Sequence, residues 1–203
     1  MISLIQHGFS KKMIEQYLKA ELECIRSGNF HKIGEYYNIH DYIGKHGIFF
    51  RSNSLTLEEK DFLAQFKRYE FLMKQCYRNA QNVAIDLQST KEFGNCPNME
   101  VKYIEGLAHG SVGFPVDHAW VSLNGKVIDY TWGESTFIKP KNGRSYIRRK
   151  SRILGEFPED WEYCGVEVDI DQMAKEIVKH KTHISVLDDY QCKWPILRSE
   201  VNV

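Results

Sequence analysis

The chain has no charge surplus, no long apolar run and no paired-cysteine motif, and each absence closes off a class of function. Its 27 basic and 27 acidic residues cancel to a formal net charge of zero. No global field therefore draws it toward nucleic acid or an anionic membrane, and neither partner is expected. The densest basic stretch, Arg144 to Arg152, reads as a solvated loop rather than a phosphate-binding surface. No segment reaches transmembrane length, and Met1 to Phe9 holds too short an apolar run for a signal peptide, so a soluble, cytoplasmic protein is expected. Five scattered cysteines (Cys24, Cys76, Cys96, Cys164 and Cys192) are odd in number and never in CxxC spacing. That pattern suggests neither a zinc site nor a disulfide framework. His180 and His183 form an HxxH without a matching set of further ligands, so no metal and no cofactor is expected.

What is present is a hydrophobic content of 42% over 203 residues, enough for one domain with a real core. Apolar residues from Met13 to Ile25 have helical spacing, with Ser10 as N-cap and Gly28 as stop. Residues 29–54 are aromatic-rich and aperiodic. Thr56 and Glu59 form a capping box for a helix carrying Phe62, Leu63, Phe66 and Tyr69. The run Phe71 to Gln75 also reads as helical and leads into a stripe of Cys76, Ala80, Val83, Ala84 and Leu87, broken at Gly94 to Pro97. Beyond it the period changes to that of strands over 99–107, 118–123 and 126–130. The last two are joined by Asn124-Gly125, the strongest short-range hairpin signal. A polar, turn-rich stretch covers 133–161, followed by a short strand at 165–168, a helix at 170–180 and a further strand at 184–187. The expected fold is α+β, with N-terminal helices packed on an antiparallel sheet. A single domain is expected: an N-terminal extension to residue 54, a core over 55–187 and a tail over 188–203.

Cys76 on an apolar helical stripe is by itself an ordinary core thiol. His118 on an apolar strand is by itself a structural histidine. The hairpin changes both readings. Counting outward from Asn124-Gly125 pairs Leu123 with Lys126, Ser122 with Val127, Val121 with Ile128 and Trp120 with Asp129. Asp129 is then diagonal to His118 on the face that Trp120 shares, within reach of the imidazole Nδ1. A thiol, a base to deprotonate it and a carboxylate to fix that base's tautomer make a nucleophilic triad of Cys76, His118 and Asp129.

Four segments carry a resemblance: Cys76-Tyr77-Arg78-Asn79-Ala80, Val101-Lys102-Tyr103-Ile104-Glu105-Gly106, His118-Ala119-Trp120-Val121 and Val127-Ile128-Asp129-Tyr130-Thr131-Trp132. In this order they resemble the transglutaminase-like core of the papain-like cysteine protease superfamily, over about Gln75 to Trp132. The family's proline after the aspartate is replaced here by Tyr130. The resemblance implies a cysteine-dependent hydrolase or acyltransferase acting on an amide-type carbonyl through a thioester. Its substrate would be a protein, a peptide or a small amide. The backbone N–H of Cys76, with the side chains of Gln75 and Asn79, would hold the oxyanion or substrate, and Tyr103 and Trp120 would wall the cleft. Residues 106–117 would form a rim over it. Protease, deamidase, transglutaminase and acyltransferase stay open, as does an arylamine-acetyltransferase-like enzyme using an acyl-coenzyme A donor. The rival class is a non-enzymatic binding or inhibitor protein on the same scaffold, using the aromatic segment Phe30 to Phe50 and the tail near Asp188-Asp189-Tyr190.

Overall fold

Helix-forming stripes and strand-forming alternation segregate along the chain, and the folded molecule keeps that order. The structure is a computed structural model describing residues 12–66, 71–72, 74–94, 96–110, 113–132, 135–138, 146–149 and 152–200. In chain order the elements are α1 (Met13–Ser27), α2 (Ile39–His46), β1 (Ile48–Phe49), α3 (Leu57–Ala64), α4 (Cys76–Phe93), β2 (Val101–His109), β3 (Val116–Leu123) and β4 (Lys126–Asp129). They continue with β5 (Ser135–Ile138), β6 (Tyr146–Arg149), β7 (Ile153–Leu154), β8 (Glu162–Val168), α5 (Ile170–His180) and a 3₁₀ turn at Tyr190–Cys192. The fold is α+β, with an open antiparallel six-stranded sheet in the order β1-β8-β2-β3-β4-β7 and a separate β5-β6 pair. No helix among the described residues is long and apolar enough to cross a membrane.

Several element ends follow from local chemistry. Both halves of the Thr56–Glu59 capping box are present: Thr56 N–H donates to Glu59 Oε2 at 2.7 Å, and Glu59 N–H to Thr56 Oγ1 at 3.2 Å. The Asn124-Gly125 turn has both residues at positive φ, 50° and 79°, the geometry that matches strand twist. Its ladder pairs Val121 with Ile128, Ser122 with Val127 and Leu123 with Lys126, in the expected register. Asp169 caps α5 by accepting from Gln172 N–H at 2.8 Å.

Other expectations are corrected. The expected first cap, Ser10, lies outside the described residues, and the start of α1 is served from β8 instead. Glu162 accepts from Met13 N–H at 2.9 Å and Ile14 N–H at 3.0 Å, so a carboxylate distant in sequence satisfies two orphan donors. The segment 29–54 is not wholly irregular, because Asn38 caps the short α2. Helix α3 stops at Ala64, leaving Phe66 buried beyond its end, and Tyr69 is outside the described residues. Phe71 to Gln75 is not a continuation of a helix: Lys74 takes a left-handed φ of 62° and Gln75 is the N-cap of α4. Among the described residues, the polar stretch 133–161 contains three strands, β5, β6 and β7. Within the basic run at 144–152, residues 146–149 form β6 rather than a loop, and Arg152 stacks over Phe71 and Tyr130 at 5.1 and 4.8 Å and so is partly a packing element.

The sheet is buried on both faces. One face takes Ala80, Val83, Ala84 and Leu87 of α4 against Tyr103, Ala119, Val121 and Ile128. The other gathers Ile104, Trp120, Val127, Ile153, Trp161 and Tyr163. This accounts for the near-continuous burial of β2 and β3, which strict alternation does not foresee. Residues 184–187, expected as a strand, serve a buried carboxylate instead. Glu105 accepts from Tyr103 Oη at 2.7 Å, Ser185 Oγ at 2.6 Å, Val186 N–H at 2.8 Å and Leu187 N–H at 3.1 Å. The three bonds from Ser185, Val186 and Leu187 fasten the C-terminal segment to β2.

Candidate functional site

The site forms where β3 and β4 part. Val121–Ile128 is the outermost pair of their ladder, so His118, Trp120 and Asp129 lie beyond it. The first turn of α4 meets the chain leaving β4, with Asn79 Nδ2 donating to Thr131 Oγ1 at 2.9 Å. Asn79 also closes on the chain before the helix. It donates to Leu72 O at 2.8 Å and accepts from Leu72 N–H at 3.2 Å. This clamp and the left-handed Lys74 set the helix start at Cys76, where unpaired backbone N–H groups and the helix dipole favour negative charge.

His118 and Asp129 are buried, at 3% and 1% exposure. His118 Nε2 lies 2.8 Å from Asp129 Oδ2. The carboxylate can only accept, which places the proton on Nε2. The expected contact through Nδ1 is therefore corrected: register brings the two residues together, but ring rotation selects Nε2 and leaves Nδ1 free of the aspartate. Asp129 is saturated. Oδ1 accepts from Thr131 N–H at 2.7 Å and Trp132 N–H at 3.0 Å, and Oδ2 also accepts from Tyr163 Oη at 3.0 Å. Burial works to lower the proton affinity of His118. The charge and hydrogen bond of Asp129, with a further contribution from the adjacent Cys76 thiol, outweigh it and push His118 up to about 10. Trp132 lies over the imidazole, ring centres 5.0 Å apart.

The other expected site residues separate into two groups. Gln75 is exposed beside the thiol, its Oε1 accepting from Arg78 Nη1 at 3.2 Å. Asn79 is buried with both ends of its carboxamide engaged, so its role is to hold the helix start. Tyr103 and Trp120 are fully buried. Tyr103 belongs to the Glu105 network, and Trp120 packs on Tyr163 at 5.2 Å with an indole Nε1 that has no partner among the described residues. They are core residues behind the site rather than its walls. The expected rim shrinks, because β2 continues to His109 and β3 starts at Val116. Tyr163, Thr131 and Trp132 complete the support of Asp129. Tyr163 carries no local signal for this role, since β8 reaches the site only through long-range pairing.

A groove of about 560 Å³ lies at the start of α4, lined by Lys74, Gln75, Tyr77 and Arg78, the sequence neighbours of Cys76, together with Lys181, Thr182 and His183. Among the described residues, no carboxylate lines it. Lys74 and Lys181 both hold left-handed backbone, φ 62° and 55°, an uncommon state for lysine. Burial, then the Arg78 charge, lowers the proton affinity of His183, whose Nδ1 lies 2.9 Å from Gln81 Oε1. The positive charge of the groove thus comes from Lys74, Arg78 and Lys181.

No family model, no curated protein and no solved structure matches the chain. The class defined here is an α+β protein with an open antiparallel sheet and a buried His–Asp pair beside a helix-start cysteine.

A pH effect on stability follows. His118 titrates near 6.5 when unfolded and near 10 when folded. A raised histidine stabilises fully below about pH 6.5 and loses that contribution as pH rises through about 10. Denaturant titrations should show wild-type stability falling across this window by an amount on the order of several kcal/mol. His118→Gln should lack that part of the slope, and identical slopes for the two proteins would contradict the assignment.

Proposed function

We propose that the chain is a cysteine-dependent acyl-transfer enzyme, a hydrolase or acyltransferase with a transglutaminase-like core, acting on the carbonyl of a negatively charged substrate. The observation that carries this reading is the placement of Cys76 at a helix start beside His118, itself fixed by Asp129 at 2.8 Å. An imidazolium beside a thiol at a helix start is the setting in which thiolate character develops. His118 would then begin the cycle as an acid.

The Cys76 sulfur attacks the carbonyl carbon, forming a C–S bond while the carbonyl electron pair moves onto oxygen. The backbone N–H of Cys76 faces the developing oxyanion. Collapse expels the amine or alkoxide, which takes the His118 proton and leaves a thioester. Neutral His118 then takes a proton from water or an acceptor amine, whose oxygen or nitrogen attacks the thioester carbon. Departure of the thiolate returns the enzyme to its starting state. Asp129 orients the ring and balances its charge throughout. Lys74, Arg78 and Lys181, with no carboxylate among the groove's described lining residues, support an anionic group on the substrate.

Two p-nitrophenyl esters, an anionic glutarate monoester and a neutral butyrate, test both parts. The wild type should release a burst of p-nitrophenol with a matching mass increase on Cys76, about tenfold faster for the glutarate at low ionic strength. Lys74→Glu with Arg78→Glu should erase that preference, and Cys76→Ala should show no burst. A burst that survives Cys76→Ala would overturn the enzyme reading and leave the binding-protein alternative. Equal rates for the two esters would remove only the anionic substrate.

A further inference from the structure

The last turn of α5 and the segment after it bring together a second set of chemistry-bearing side chains, away from the Cys76 site. His180 Nε2 lies 3.2 Å from Asp189 Oδ2, 3.3 Å from Glu176 Oε2 and 3.7 Å from Cys192 Sγ. The donor atoms of His180, Asp189 and Cys192 all fall within 4.8 Å of one another. A ring nitrogen carries at most one hydrogen, so two carboxylate oxygens and a thiol crowd a single donor. His180 can donate to only one of them, while Lys179 Nζ donates to Glu176 Oε2 at 2.7 Å and the Cys192 thiol is itself a weak donor.

We propose that Glu176, His180, Asp189 and Cys192 form a binding site for a divalent transition metal, zinc by its donor set. Zinc bonds of about 2.05 Å to nitrogen, 2.1 Å to oxygen and 2.3 Å to sulfur, at tetrahedral angles, separate N and O by about 3.4 Å and N and S by about 3.6 Å. The three distances from His180 Nε2 match those edges to within about 0.2 Å. Glu176 and His180 are four residues apart on one face of α5, which carries both toward the same point. Asp189 is buried and oriented by its second oxygen, Oδ1, which accepts from Cys192 N–H at 3.1 Å. Lys179 Nζ, 2.7 Å from Glu176 Oε2 and 3.8 Å from Asp189 Oδ2, supplies positive charge there in the absence of metal. Its side chain is about half exposed and can turn to solvent.

The site would lock the connection between α5 and the tail. That connection contains Lys181 to His183, which line the groove at the start of α4, and Ser185 to Leu187, which bind Glu105. The inference stands independently of the proposed enzyme.

The test is cobalt(II) and zinc(II) titration of the untagged, chelator-treated protein. Cobalt should bind at a single equivalent, with the intense visible bands of a tetrahedral site and a thiolate-to-metal charge-transfer band. Zinc should displace it. Cys192→Ser should lose the charge-transfer band, and Cys192→Ser and His180→Gln should each weaken zinc binding by at least about tenfold. Cys76→Ser should change neither, and circular dichroism establishes that each variant is folded. Absence of a tetrahedral spectrum, persistence of the charge-transfer band in Cys192→Ser, or its loss in Cys76→Ser would overturn the proposal.

Discussion

Asp129→Ala should cost the fold about 3–5 kcal/mol as well as impairing the site. The carboxylate accepts from two backbone N–H groups, the Tyr163 hydroxyl and His118, all in a buried setting. Truncation leaves an imidazolium without its counter-charge and strands three further donors, each costing about 1–3 kcal/mol when buried and unpaired. A triad aspartate read from sequence alone suggests a variant whose fold survives intact; the packing around this one gives the opposite expectation. Asp129→Asn separates the two effects. Its carbonyl oxygen can still accept from Thr131 and Trp132, but its amide cannot hold His118 in the same protonation state. It should therefore be destabilised less than Asp129→Ala, losing the charge pairing with His118 but not the backbone bonds, while slowing Cys76 chemistry by up to about 10⁴-fold. Urea denaturation of Asp129→Ala and electrophile labelling of Asp129→Asn measure the two losses. A denaturation midpoint for Asp129→Ala equal to the wild type would contradict the buried pairing.

The parts of this site that sequence reveals are those governed by short-range rules. Asn124-Gly125 fixes the hairpin type, and the two-residue period of strands then places His118 and Asp129 on one face. The capping box and the α5 boundaries are legible for the same reason. Sequence does not reveal groups contributed across long-range pairing. Glu162 capping α1, Tyr163 bonding to Asp129 and Glu105 receiving Val186 and Leu187 all depend on β8 or the tail folding back. The helix start is a finer case. Phe71 to Gln75 has helical propensity, but the Asn79 clamp on Leu72 and the left-handed Lys74 override it. That override turns Cys76 from a mid-helix residue into the first residue of α4.

The most direct measurement is the pH profile of alkylation, mapped to each cysteine by peptide mass spectrometry after brief iodoacetamide treatment. Cys24 is exposed and serves as the internal reference, whereas Cys164 is buried with its thiol pushed up to about 12, first by burial and then by the Glu162 charge. If Cys76, His118 and Asp129 act as one unit, Cys76 should react ahead of Cys24 near neutral pH. His118→Gln should slow that reaction by about 10²-fold or more. A Cys76 that reacts no faster than Cys24 and ignores His118→Gln would contradict the account at its centre.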